Sequence, residues 1–305
     1  MNVTVLGGSG MLGAMVVDYL ARQKGLKVAA TARTDDQIAR LRARAGSVEW
    51  RRFDAEAPDV DRIQPALGDS SWVINAIGVI KPYIHDDNAV EVERATRVNA
   101  LFPHLLAKAA AKTGARVLQI ATDCVYSGAK GGYVESDKQD ALDVYGKTKS
   151  IGEVYAPNVH HLRVSIIGPE PRAHVSLLDW FLGQKNGATL NGFTNHSWNG
   201  VTTLQFARLC HGAITRNVGL AHLQHVVPGD TVTKYELLKI FAAAYKRADL
   251  VINAAQASVA IDRTLRTSSE ALNRTLWEAA GYSQPPTVAE MVAETAAFKF
   301  SFAGL

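Results

Sequence analysis

The chain is poor in the features that mark several whole classes of protein. It holds two cysteines, Cys124 and Cys210, in 305 residues. Two cannot build a disulfide framework, so a packed core must hold the fold and a reducing, cytoplasmic setting is expected. No uncharged apolar run reaches the roughly 18 residues of a membrane span, so no membrane partner is expected. Residues 1–17 carry no charged side chain, yet Gly7, Gly8, Gly10 and Gly13 interrupt them and no basic segment precedes them. That argues against a signal peptide. Charge of one sign is also lacking. Lys and Arg number 33 against 29 Asp and Glu, a net charge of +4 spread along the chain. Nucleic-acid binding calls for a concentrated patch, so no nucleic acid is expected as a partner. Metal-ligand spacing is absent too. His160 and His161, and His222 with His225, fall in strand-like runs where those offsets point to opposite faces.

What is there reads as an ordinary globular protein: 47% hydrophobic and 20% charged residues, with a length compatible with two domains. The first half alternates short apolar runs with helical patterns. Val3 to Leu6, Val28 to Ala32, Val48 to Phe53, Trp72 to Asn75, Arg116 to Ala121 and His161 to Ser165 read as strands. Helices are expected over Met11 to Arg22, Asp35 to Ala45 (capped by Thr34), Val60 to Leu67, Ala89 to Lys112 and Val144 to Tyr155. Strand and helix in alternation mean parallel strands with crossover helices. The expected fold class is α/β, a Rossmann-type doubly wound parallel sheet with a smaller mixed C-terminal substrate lobe. The boundary is placed at residue 168, giving 1–168 and 169–305, with residues of about 204–230 free to pack back on the first part. In the second part, Thr203 to Arg216, Thr233 to Tyr245 and Val288 to Lys299 read as helices, and Thr233 with Glu236 and Thr267 with Glu270 read as capping boxes.

Gly7-Gly8-Ser9-Gly10-Met11-Leu12-Gly13 lies between the first strand and the first helix and reads as G-x-x-G-x-x-G. Such a loop gives the turn its freedom, lets a pyrophosphate approach the backbone, and seats the helix tightly on the sheet. The helix start then offers free N–H groups to phosphate. Gly7, Gly10, Met11, Leu12 and Gly13 are therefore candidate cofactor residues, with Ala76 at the end of the fourth strand. The second strand ends at Arg33, where an acidic residue would bind the ribose hydroxyl of NAD. Arginine suits a 2′-phosphate, so NADP(H) is expected in preference to NAD(H). Arg33 opens a stretch with five more arginines, Arg40, Arg42, Arg44, Arg51 and Arg52. They read as a solvated helix face and a strand, with one or two available to an anionic cofactor. Asp54, after the third strand, reads either as an adenine contact or as a surface turn.

Tyr145-Gly146-Lys147-Thr148-Lys149 is Y-x-x-x-K, which on a helix places Tyr145 and Lys149 on one face. A free tyrosine titrates near ~10, and a neighbouring ammonium is expected to favour its phenolate. Thr122 ends a strand at the sheet edge where ligands sit, and its hydroxyl can bond a carbonyl oxygen undergoing hydride addition.

Three stretches together carry a resemblance. The loop at Gly7, Ala121-Thr122-Asp123-Cys124-Val125-Tyr126-Ser127-Gly128, and Asp143-Val144-Tyr145-Gly146-Lys147-Thr148-Lys149-Ser150-Ile151-Gly152-Glu153 are similar to the extended short-chain dehydrogenase/reductases. Within that superfamily they resemble the dTDP-4-dehydrorhamnose reductase-like branch, which reads S-T-D-Y-V-F-D-G and N-V-Y-G-x-T-K-x-x-G-E. Leu162-Arg163-Val164-Ser165 resembles its L-R-T-S, and Arg263 with Thr267 loosely resembles its late R-P-x-x-S. The likeness covers residues 1–168 well and the remainder in patches.

The resemblance implies an NADP-linked reduction at C4 of a nucleoside-diphosphate-4-keto-6-deoxysugar. Thr122, Tyr145 and Lys149 would be catalytic, Asp123 and Arg263 would bind substrate, and the second lobe would hold the nucleotide diphosphate. It also allows a homodimer through sheet-flanking helices. Departures matter. Cys124 stands where the 4,6-dehydratases carry glutamate, which disfavours dehydration. Ile166 stands where the rhamnose reductases place tryptophan, and Trp198 is a candidate to supply stacking instead, with a core position as its alternative. GDP-fucose synthase, a relative, uses a cysteine and a histidine to move protons at C3 and C5. Cys124 and His174 stand in similar settings, so an epimerase/reductase is the enzymatic alternative, and a non-catalytic NADP-binding regulatory subunit is the alternative of another class.

Overall fold

A computed structural model describes residues 1–172 and 174–304. The chain runs β1 (Asn2–Leu6), α1 (Met11–Ala21), β2 (Lys27–Ala32), α2 (Asp35–Arg44), β3 (Glu49–Arg52), α3 (Val60–Leu67) and β4 (Trp72–Asn75). It continues α4 (Ala89–Ala95), α5 (Phe102–Thr113), β5 (Arg116–Thr122), α6 (Val144–Ile151), β6 (Val159–Val164), β7 (Ile166–Ile167), α7 (Leu177–Leu182), β8 (Thr189–Phe193), β9 (His196–Trp198) and β10 (Val201–Thr202). The last elements are α8 (Thr203–Thr215), β11 (Leu223–His225), β12 (Val232–Thr233), α9 (Lys234–Ala244), β13 (Val251–Ala255), β14 (Ile261–Asp262), α10 (Glu270–Ala279) and α11 (Val288–Ala297).

Seven parallel strands form one sheet in the order β11-β6-β5-β4-β1-β2-β3. The order reverses beside β1, so the crevice at the carboxyl ends of β1 and β4 is the place for a ligand. The central strands are apolar because both faces are covered: Val3, Val5, Val73, Ile74, Val117 and Leu118 are all 1% exposed or less. α1 and α8 pack side by side, and β11 extends the sheet beyond β6. The remaining strands form small sheets, β7 with β10, β8 with β13, and β9 between β12 and β14. Among the described residues no helix is long and apolar enough to cross a membrane.

Three local expectations need correction. The single helix expected over Ala89 to Lys112 is interrupted by a π-helical segment, Thr96–Leu101. The extra residue turns Asn99 inward, where its amide accepts from Val79 N–H (2.8 Å) and donates to the Val79 carbonyl (2.9 Å). The helix expected to reach Tyr155 stops at Ile151 because Gly152 packs on the chain, with any Cβ there only 2.0 Å from the Asn99 carbonyl oxygen. The Thr267–Glu270 capping box does not form. Ser269 caps α10, and the Thr267 hydroxyl donates to Glu135 at 2.6 Å. The Thr233–Glu236 box is present.

Candidate active site

The glycine loop leaves β1 with Gly7 at φ +80°, a conformation that favours glycine. Gly7 N–H donates to Thr31 Oγ1 (3.0 Å) and Gly10 N–H to the Gly7 carbonyl (3.0 Å), which fixes the turn. Gly13 lets α1 lie against that turn, since a Cβ there would stand 2.0 Å from Gly7 O. Gly10 is exposed and faces open space, with nothing nearer than 3.6 Å to an added Cβ. It caps α1 without a side-chain bond, and no acidic residue sits in the first turn. Leu12 is buried and ties the loop to the core, while the N–H groups of Met11, Leu12 and Gly13 have no partner within the helix. Ala76 donates to the Leu6 carbonyl at 3.0 Å and closes the floor beside Gly7. These features fit a dinucleotide pyrophosphate: open space, exposed glycine backbone and an uncompensated helix N-terminus.

Next to the loop, Ser9, Gln37, Arg40, Leu41, Pro171 and Arg172 line a narrow cleft. Partial burial, then the charges of Arg33 and Arg40, hold the Arg172 guanidinium below the usual arginine range. Arg40 from α2 and Arg172 from the segment after β7 line the cleft, and Arg33, just past β2, is near enough to act on Arg172. Arg33 also pairs with Glu56 (3.2 Å). Arg40 belongs to the arginine stretch and Arg172 to no motif, so only the folded chain brings them to Ser9. Asp54 is exposed and accepts from Glu56 N–H (3.0 Å), the arrangement of a surface turn.

At the carboxyl end of β5, Thr122 accepts from Cys124 N–H (3.1 Å) and donates to Asp123 Oδ1 (3.2 Å). α6 is capped by Asp143, which accepts from Gly146 N–H (2.8 Å). A Cβ at residue 146 would lie 2.6 Å from the Cys124 carbonyl oxygen, so the glycine inside Y-G-K-T-K lets α6 close on the β5 end. Lys149 donates to the Ile120 carbonyl (3.2 Å) and is 8% exposed. Thr122, Tyr145 and Lys149 are therefore brought to one place. The charge balance differs from the expectation that the ammonium favours phenolate. Burial, and then the Cys124 side chain, push the Tyr145 phenol well above its usual range, while Thr122 opposes the rise by hydrogen bonding. Burial also pulls Lys149 down to about 8, opposed by Glu153. Burial governs both groups, and Tyr145 stays protonated at neutral pH.

Asp123 is buried, which raises its carboxyl, and Arg263 and then Lys234 oppose that rise. Burial and the neighbouring Asp123 push the Cys124 thiol up to about 12. Arg263 Nε donates to the Tyr126 carbonyl (2.8 Å), which anchors it beside this site. His174 lies at φ 52°, and its Nδ1 bonds Asp179 Oδ2 at 2.6 Å. Cys124 Sγ instead bonds Asp123 Oδ1 at 3.6 Å, so no hydrogen bond joins the proposed pair. Trp198 is 4% exposed and donates to Ser165 Oγ (2.8 Å), a core position with Lys234 over its ring. A cavity of about 270 Å³ opens nearby, lined by Leu177, Trp180, Asn191, Phe193, His196, Lys234 and Leu238.

Behind the site, Glu153 and the fully buried Arg163 form an ion pair. Arg163 also donates to Tyr126 OH (2.7 Å) and bonds His225 Nε2 (2.8 Å), linking α6, β6 and β11. Asn99, which also donates to Thr148 Oγ1 at 3.4 Å, links α6 to the Val79 loop. Glu153 stands at the Gly152-Glu153 end of the tyrosine–lysine stretch, whereas no motif marks Asn99.

A family model described as the RmlD substrate binding domain matches residues 1–299. A dTDP-4-dehydrorhamnose reductase of Mycolicibacterium smegmatis is 27% identical over 182 residues, covering 59% of this chain and 45% of that protein. The match therefore spans about half the length of that relative. A dTDP-4-dehydrorhamnose reductase from Clostridium acetobutylicum has the same fold, with a TM-score of 0.71 at 20% identity over 97% of this chain and 99% of that one. One from Bacillus anthracis, solved with NADP, gives 0.69 at 16% identity over 96% and 97%.

Proposed function

The chain belongs to the RmlD substrate binding domain family, a branch of the extended short-chain dehydrogenase/reductases, and on that premise we propose that it is an NADPH-dependent reductase. Its substrate class is a nucleoside-diphosphate-4-keto-6-deoxysugar, reduced at C4. The observation that carries this reading is the convergence of Thr122, Tyr145 and a buried Lys149 at the β5 end, beside the glycine loop. The NADP complex of the Bacillus anthracis relative and the arginines around Ser9 support the choice of cofactor.

The loop from Gly7 to Gly13 would hold the pyrophosphate, and Arg33, Arg40 and Arg172 the 2′-phosphate. When bound, the nicotinamide supplies the hydride. Tyr145 donates its phenolic proton to the C4 oxygen as negative charge develops there. Its raised pKa keeps that proton in place over the neutral range. The Thr122 hydroxyl bonds the same oxygen, and a charged Lys149 stabilises the phenolate that Tyr145 leaves behind. Hydride and proton together convert the ketone to an alcohol. Asp123 and Arg263 would meet the sugar and its diphosphate.

The epimerase/reductase alternative draws no support from the site. Cys124 is held as a thiol by its surroundings, and His174 is engaged with Asp179. NADPH consumption with dTDP-, GDP- and UDP-linked 4-keto-6-deoxysugars tests the proposal, with product mass read in deuterated water. Turnover without solvent deuterium at C3 or C5, lost in Tyr145→Phe, is expected. Deuterium at those carbons above the enzyme-free level would overturn simple reduction in favour of Cys124 and His174. Tight NADPH binding without oxidation by any of these sugars would favour a regulatory role.

A further inference from the structure

Lys234 stands in a position that the fold alone makes unfavourable. It is the first residue of α9, at the positive end of an 11-residue helix, where a cation is repelled. It is partly buried, and among the described residues its ammonium has neither a hydrogen bond nor an ion pair. The Trp198 ring lies 5.4 Å from its nitrogen, Asp123 is its neighbour of opposite sign, and the Cys124 thiol stands beside them. Asp123 is already engaged by Thr122 and Cys124. The capping box satisfies the N–H groups of Thr233 and Glu236, which leaves those of Lys234 and Tyr235 without a partner in the helix. A partly buried, unpaired cation at an uncompensated helix start, lining a cavity, calls for an anion.

Its place in the cavity indicates which anion. On one side are Asp123 and Cys124, the continuation of the strand end that carries Thr122. On the other side are Trp180, 42% exposed, and Phe193, 37% exposed, with His196 beside them. Exposed aromatic rings suit a nucleobase. Lys234 thus lies between the reacting end and the aromatic end, where a sugar–diphosphate–nucleoside carries its phosphates. We propose that Lys234 binds the sugar-proximal phosphate of the substrate and so positions the sugar against Thr122 and Tyr145. This rests on the sugar-nucleotide reading above.

The test is calorimetric titration of the full chain loaded with NADPH. The probes are UDP, dTDP and GDP, each against its nucleoside. At least one diphosphate should bind tenfold or more tighter than its nucleoside. Lys234→Met should weaken that diphosphate by tenfold or more and the nucleoside by less than twofold, and Lys234→Arg should restore most of the loss. The Met variant should melt no lower than the parent, since an unpaired, partly buried charge has been removed from a helix start. Unchanged diphosphate binding in Lys234→Met would overturn the proposal and leave the sugar-nucleotide reading standing. Equal losses for diphosphate and nucleoside would overturn it too, by assigning Lys234 to cavity shape. A parent protein that binds none of the three diphosphates would remove the sugar-nucleotide reading itself, and the proposal with it.

Discussion

Replacing Gly13 by alanine should separate the fold of the glycine loop from its ligand space. The added methyl would stand 2.0 Å from the Gly7 carbonyl oxygen and 2.6 Å from its carbon, where ordinary contact begins at 3.4 Å. The turn and the start of α1 must therefore part by about 1.4 Å along that contact. Both sides are backbone, so no side chain can swing away. Overpacking of this kind costs about 1–3 kcal/mol, and relaxing it strains the Gly10 N–H bond to Gly7 O. If the relaxed loop must be restored to accept a pyrophosphate, that cost returns as roughly 5–150-fold weaker NADPH binding. Gly10→Ala is the control. Its methyl meets nothing nearer than 3.6 Å, so stability should change by less than about 0.5 kcal/mol. NADPH affinity should still fall, because the methyl enters the open space over the loop. Fluorescence titration of NADPH and thermal melts of both variants provide the readout. NADPH binding by Gly13→Ala within twofold of the parent would refute the argument.

Three further outcomes are expected. Arg172→Gln and Arg40→Gln should each weaken NADPH by about 5–30-fold while leaving NADH unchanged, since a charged hydrogen bond to phosphate contributes roughly 1.5–3 kcal/mol and these groups are partly hydrated; equal losses for both cofactors would contradict a 2′-phosphate site. Glu153→Gln strands the fully buried Arg163 charge and should lower stability by about 3–5 kcal/mol in denaturant titration; a loss below about 1 kcal/mol would show that Tyr126 and His225 suffice. His161 is fully buried, and burial pulls its pKa from 6.5 to about 4. Between those values the unfolded chain binds the extra proton, so His161 contributes stability that is complete above pH 6.5 and is lost as pH falls towards 4, with a ceiling of roughly 3 kcal/mol. His161→Gln keeps a donor for the Val154 carbonyl, which Nε2 meets at 3.0 Å, and should flatten that part of the acid profile; an unchanged profile would exclude His161.

Much of the molecule was legible in the sequence because the signals are local. The apolar runs of β1, β2, β4 and β5, the helix after each of the first three strands, the glycine spacing and the Y-x-x-x-K repeat depend on neighbours a few residues apart. The family resemblance rested on the same short stretches. Helix ends were less legible. The π-helical turn at Asn99 and the stop at Ile151 answer to each other across space, through the Gly152 contact. The acidity of the site was not legible either. A spacing of four places Lys149 on the same helix face as Tyr145, but only the packing around them sets how far burial shifts each group. By itself the sequence determined a parallel sheet with a glycine loop after its first strand and a tyrosine–lysine helix at its carboxyl edge. Tertiary structure alone brought Arg172 to Ser9, turned His174 to Asp179, and set Lys234 beside Asp123 from over a hundred residues away. Periodicity fixes which way a side chain faces on its own element, whereas partners distant in sequence, and the water they exclude, are fixed only when the elements pack.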